Sequence, residues 1–275
     1  MLRTMPLNLP AEPARTLAVP GVGRDVHVFG AKVRGRVLPL VLHFHGGNFT
    51  ERGGDCDASL AQLLAGAGAV VASFDYPLAP GHRFPDAVEA GYAALEWLHR
   101  QRGALAGRNA PLFVAGEEAG GNLAAAVAMV ARDRLHPPLA GQILVAPMLD
   151  PCTASPSVRD KMGEQLECRW SSGWQHYLRG PLDAEHPYAV PARAQRLAGL
   201  PATLILTAAD DPMRDDAMAY AQRLRDAGVA VANPVLATPS GWPESLEELP
   251  PDQCPCAAEA QEHLRTFLRP PIVPS

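Results

Sequence analysis

Three short clusters hold the residues whose types and spacing suit chemistry. His43-Phe44-His45-Gly46-Gly47-Asn48 follows a short apolar run. Two adjacent glycines let backbone N–H groups approach a ligand oxygen, as an oxyanion hole requires; a glycine pair can equally serve only a turn. Gly116-Glu117-Glu118-Ala119-Gly120-Gly121-Asn122 follows a second apolar run and precedes an Ala-rich stretch. Its small residues permit the sharp strand-to-helix turn of a nucleophile elbow, with the middle residue raised at the helix N-terminus. That residue is Glu118, and the plain alternative is a surface turn with two solvated acids. Asp210-Asp211-Pro212-Met213-Arg214-Asp215-Asp216 is the third cluster. Taken alone, a strand-end Asp before Pro is better explained as a cap for the next helix.

The segments around these clusters must position them. Thr16–Val19 and Val26–Phe29 flank Pro20-Gly21 and predict a hairpin. Apolar runs at Val37–His43, Ala69–Phe74, Leu112–Ala115, Gln142–Ala146, Thr203–Leu206 and Val229–Leu236 predict buried strands. Helices are predicted over Asp86–Arg100, Gly121–Arg132, Met213–Ala227 (ended by Gly228) and Ala257–Leu268. Strands alternating with helices predict an α/β class, a mostly parallel central sheet with helices on both faces. Ligands then sit beyond the carboxyl ends of the strands, where all three clusters fall. Residues 151–192 break the rhythm; they are polar, carry Trp170 and Trp174, and exceed a typical connection, so they predict a small cap inserted in a single domain spanning 1–275.

In order, the three clusters resemble the His-Gly-Gly-Gly, Gly-Asp-Ser-Ala-Gly-Gly and Asp-Pro-Leu-Arg-Asp signatures of the hormone-sensitive-lipase and bacterial acetyl-esterase family. Asp75-Tyr76-Pro77-Leu78-Ala79-Pro80-Gly81-His82-Arg83-Phe84-Pro85 is similar to that family's Tyr-Arg-Leu-Ala-Pro-Glu-His-Pro-Phe-Pro stretch, and the likeness runs over about residues 37 to 268. It implies an α/β-hydrolase fold. It also implies an oxyanion hole from Gly46, Gly47 and the N–H of Ala119, with Asp211 as the acid of the triad. Glu118 stands at the nucleophile position, Ser240 at the place of the histidine, and Asn48 at the third glycine.

A serine esterase needs a hydroxyl and a base to take its proton, and Glu118 and Ser240 supply neither at neutral pH. Ordinary serine-esterase activity is therefore expected to be absent or very slow. Backbone N–H groups at a helix N-terminus favour the carboxylate, which could then plug the hole and leave a binding or scaffold protein. Burial under the cap favours the neutral acid, which would suit proton shuttling in an isomerase, cyclase or lyase. A third route, in the manner of epoxide hydrolases and haloalkane dehalogenases, makes Glu118 a nucleophile in an unusual ester hydrolase; it needs a histidine, and His176 and His186 of the cap are the candidates. The plant gibberellin receptors resemble these esterases, lack the histidine and bind ligand. The expected ligand is a small apolar or ester-like molecule.

Composition excludes other classes. A net charge of −5 with no basic run gives nucleic-acid binding no support. No segment is apolar enough for a membrane span, and the proline-broken start lacks the apolar run of an export signal, so a cytoplasmic location with reduced thiols is expected for the five cysteines. Cys254-Pro255-Cys256 has no partner pair and makes a poor zinc signature, so neither metal nor cofactor is expected. A homodimer through an edge strand and the last helix is the family's habit and is carried here as an expectation.

Overall fold

The computed structural model describes residues 9, 12–52, 59–151, 155–161, 164–237, 241 and 256–269. Nine strands form the described sheet: β1 (Arg15–Val19), β2 (Arg24–Phe29), β3 (Leu40–Phe44), β4 (Val70–Phe74), β5 (Leu112–Glu117), β6 (Gly141–Val145), β7 (Ala202–Ala208), β8 (Val231–Ala232) and β9 (Val235–Leu236). Their order is β1-β2-β4-β3-β5-β6-β7-β8, with β9 paired to the far end of β7. β1 and β2 form the predicted antiparallel hairpin, and β2 joins β4 antiparallel. Every pairing from β4 to β8 is parallel.

The described helices are α1 (Ser59–Gly66), α2 (Asp86–Leu105), α3 (Glu118–Asp133), α4 (Pro156–Lys161), α5 (Glu164–Tyr177), α6 (Pro181–Ala184), α7 (Arg214–Asp226) and α8 (Ala257–Leu268). Successive strand residues point to opposite faces, and the core divides accordingly. Leu40, Leu42 and Phe44 of β3 pack with α2, α3, α7 and the cap residues Trp170, Trp174 and Tyr177. Val41 joins the opposite cluster, built on α1 and α8. Helix α3 is buried from Glu118 to Ala131. Its run of alanines lets it lie close to the sheet, and its all-round apolarity is that of a core helix.

Several elements depart from expectation. Helix α3 begins at Glu118 rather than Gly121, because the glycines belong to its first turn. A Cβ on Gly120 would stand 2.0 Å from the Phe44 carbonyl oxygen, and one on Gly116 would stand 2.2 Å from that of Gly120. The glycine pair thus marks close helix–sheet approach, not a loop. β3 starts only at Leu40, after Pro39, which has no N–H for a ladder. The last predicted strand is split at Asn233-Pro234 into β8 and β9 for the same reason. Helix α1 was not predicted; it buries Leu60, Ala61, Leu63 and Leu64, which lie at helical spacing. Between β6 and β7 lie α4 to α6 and a 3-10 turn at Pro191–Arg193, in the segment expected to form the cap.

Candidate functional site

The carboxyl ends of β3, β5 and β7 bring the three clusters to one rim of the sheet. Glu117 ends β5 in extended conformation, and Glu118 turns sharply with φ +51°. A non-glycine residue in the left-handed region is strained. The turn is held in place by Gly116 below and by the Glu118 carbonyl, which accepts the Met148 N–H at 2.9 Å.

Glu118 is fully buried. Its Oε2 accepts the N–H groups of Gly47 and Asn48, each at 2.7 Å. Its Oε1 accepts the indole N–H of Trp170 at 3.0 Å and lies 3.8 Å from the Arg169 guanidinium. Both oxygens are thus engaged, one by the loop after β3 and one by α5 of the cap. Three N–H donors and a guanidinium thus surround one buried carboxyl group.

The loop N–H groups that reach the Glu118 carboxyl are those of Gly47 and Asn48. Gly47 and Asn48 both have positive φ, +96° and +55°, which turns consecutive N–H groups toward one point. Gly46 instead presents its carbonyl to the Tyr76 hydroxyl at 3.1 Å and to His45 Nδ1 at 2.6 Å. Ala119, assigned a donor role by the resemblance, is buried in the first turn of α3, and the carboxylate takes its hydrogen bonds elsewhere.

Asn48 also ties the loop to the cap. Its side-chain N–H donates to the Arg169 carbonyl at 2.5 Å. Gly173, one turn along α5, sits so close that a Cβ there would stand 2.0 Å from Asn48 Oδ1. Phe49 stacks on Tyr177 with ring centroids 4.1 Å apart and meets Trp174 at 5.1 Å. One helix of the cap is therefore clamped on the loop by polar, steric and aromatic contacts together.

Asp211 is buried just beyond the carboxyl end of β7, and its Oδ1 accepts the Met213 N–H at 2.8 Å, a local turn ahead of α7. The neighbouring Asp210 accepts the Gly241 N–H at 2.9 Å. Ser240 lies outside the described residues. Neither cap histidine reaches Glu118: His176 lies 3.4 Å from Ser172 Oγ, and His186 is exposed beside Phe84 and Tyr188. Among the described residues no histidine meets the Glu118 carboxylate.

A buried polar ladder was not foreseen. His43 Nδ1 lies 2.9 Å from Ser73 Oγ, and His43 Nε2 lies 2.7 Å from Glu117 Oε2, linking β4, β3 and β5. The signal was a histidine inside an otherwise apolar strand. Nearby His45 stacks on Tyr76, and burial first of all pushes its pKa down to about 3. No group of His, Cys, Asp and Glu suited to a metal occurs among the described residues. Among them, too, no helix is long and apolar enough to cross a membrane.

Comparison with known proteins agrees with this fold. A family profile described as alpha/beta hydrolase fold matches residues 41–237, so the chain belongs to that family. Within it, the relatives are of the hormone-sensitive-lipase and acetyl-esterase type. Esterase LipI of Mycobacterium tuberculosis is 40% identical over 70% of this chain and 62% of its own length. Carboxylesterase NlhH of the same organism is 36% identical over 70% and 63%. Gibberellin receptor GID1B of Arabidopsis thaliana is 31% identical over 71% and 57%. The chain thus spans about three fifths of the length of the curated relatives it matches. Among solved structures, a bacterial heroin esterase aligns with TM-score 0.79 and 31% identity over 93% of this chain and 84% of that one. A hyperthermophilic esterase from Pyrobaculum calidifontis aligns with TM-score 0.79 and 31% identity over 95% and 88%.

Proposed function

We propose that this chain is a non-hydrolytic member of its esterase family. It keeps the scaffold, places Glu118 at the nucleophile position, and fills the oxyanion hole with that residue's own carboxylate. The carrying observation is the double engagement of Glu118, with Gly47 and Asn48 on one oxygen and Trp170 on the other, in full burial. With the Gly47 and Asn48 N–H groups bound to an internal carboxylate, those donors are not open to a substrate oxyanion. The saturated carboxylate also argues against a proton shuttle, which needs a substrate proton within reach. The chain then acts through binding, as the gibberellin receptors among its relatives do by name, with a small apolar or ester-like molecule as the expected class of ligand.

The test is direct. Short-chain p-nitrophenyl esters should turn over no faster with the native chain than with a heat-denatured control. Native turnover well above that control, abolished by Glu118→Gln, would overturn the reading. In Glu118→Ser with Ser240→His, the hole is emptied and a hydroxyl and base are supplied, so measurable esterase activity should appear.

A further inference from the structure

Away from the elbow, a cavity of about 480 Å³ opens between the C-terminal end of α3 and the returning segment of the cap. That volume lies within the range of small-molecule sites. Three guanidinium groups line it, those of Arg132, Arg193 and Arg196. The carboxylates of Asp133 and Glu185 line it too, so the lining carries one net positive charge in a chain that is acidic as a whole.

Asp133 organises the wall. Arg132 grips both of its oxygens at 2.9 and 3.1 Å, Arg196 pairs with Oδ1, and the Tyr188 hydroxyl donates to Oδ2 at 2.7 Å. Arg132 also donates to the Arg196 carbonyl at 2.7 Å. The Arg132 hydrogen bonds, with help from Tyr188 and Arg196, hold the Asp133 carboxyl down to about 2, so the anchor stays charged at neutral pH. Two of the arginines keep donor capacity. Arg196 is 71% exposed and uses one terminal nitrogen on Asp133. Arg193 meets Asp150 only at 3.7 Å, beyond hydrogen-bond reach. Met129 and the ring of Tyr188 supply apolar surface beside them.

We propose that this cavity binds a small organic carboxylate, its carboxyl group held by Arg193 and Arg196 and its apolar body against Met129 and Tyr188. A planar guanidinium matches a carboxylate with two parallel hydrogen bonds, and a wall already fixed by Asp133 loses little freedom on binding. Glu185 on the rim repels more highly charged anions and favours a monoanion. The site does not depend on the state of Glu118.

Titration calorimetry on the full chain with benzoate, its neutral isostere benzamide and inorganic phosphate tests this. Benzoate should bind saturably at one site, at least tenfold more tightly than benzamide or phosphate, and more weakly as salt is raised. Arg193→Gln with Arg196→Gln should weaken benzoate at least tenfold while leaving the Arg132 and Tyr188 bonds to Asp133 in place. Should the double variant fail to fold, Arg193→Gln alone reads out the same loss, since that side chain makes no hydrogen bond to the core. Absence of saturable benzoate binding, equal binding by the variant, or a preference for phosphate would each overturn the proposal. Ester turnover measured on the same samples reports separately on Glu118.

Discussion

Glu117 and Glu118 are neighbours in the chain and both are buried, yet they serve different parts of the molecule. Glu117 completes a ladder across three adjacent strands, Ser73–His43–Glu117, inside one rigid sheet. Glu118 joins three pieces that no backbone ladder connects: the loop after β3, the start of α3 and the cap helix α5. A polar group inside a sheet secures what backbone pairing already secures. A polar group between core and cap supplies contacts that no backbone ladder provides.

The largest effect is therefore expected at Glu118. Glu118→Ala leaves two loop N–H groups and the Trp170 indole N–H buried without their acceptor, a destabilisation of roughly 3–5 kcal/mol. Urea denaturation measures it, and limited proteolysis should show α5 cut faster. Glu117→Ala removes one partner from His43 and should cost about 2–3 kcal/mol without loosening the cap. Equal losses, or equal proteolysis of α5, would break the comparison.

A steric version follows at Gly173. Gly173→Ala drives a methyl into Asn48 and should destabilise by about 2 kcal/mol. Adding Asn48→Gly should restore only part of this, because the Asn48 carbonyl also lies within 2.5 Å of the new atom. Full additivity in the double-mutant cycle would show that the helix and loop are not interlocked.

Acid sensitivity probes the same loop. Unfolded, His45 takes a proton near 6.5; folded, it does so only near 3. The unfolded state thus binds more protons between those values. Stability from this group is complete above pH 6.5 and is lost as pH falls toward 3, about 2 kcal/mol of it between pH 7 and 5. His45→Phe should flatten that slope, read from urea midpoints across the range. The smallest effect is expected near the cap at Asp216, which burial and then the charges of Asp150 and Asp215 push up to about 6. Its sign is opposite: the native state binds the extra proton, so stability is greatest below 3.8 and falls as pH rises through about 6. The group is partly exposed and solvent screens it, so Asp216→Asn should raise stability only slightly at pH 7 and not at all at pH 3.5.

Much of this arrangement was legible in the chain. Apolar runs separated by helical periods located the parallel strands within a few residues, because buried strands and core helices must repeat their apolar side chains. The elbow was legible because Gly116 and Gly120 have a steric job that no other residue can do. What escaped were partnerships across long separations. Nothing local says that Asn48 rather than Gly46 turns its N–H toward Glu118, which follows from the left-handed backbone at Gly47 and Asn48. Trp170 showed only as a cap tryptophan, since its hydrogen bond to Glu118 depends on how α5 docks 52 residues away. His43 and Ser73 are 30 residues apart and meet only through strand register.

The carboxylate on Gly47 and Asn48 can also be viewed as a tethered ligand. It is carried on the same chain as its receptor site, so its effective concentration there is set by geometry and not by supply, and for a short tether that is at least millimolar in order of magnitude. An outside oxyanion, whether substrate intermediate or transition-state mimic, must compete with that built-in occupant and also break the Trp170 bond that the occupant makes. On the function proposed above, Glu118 would act as an intramolecular inhibitor of that site, one that no dilution can wash out.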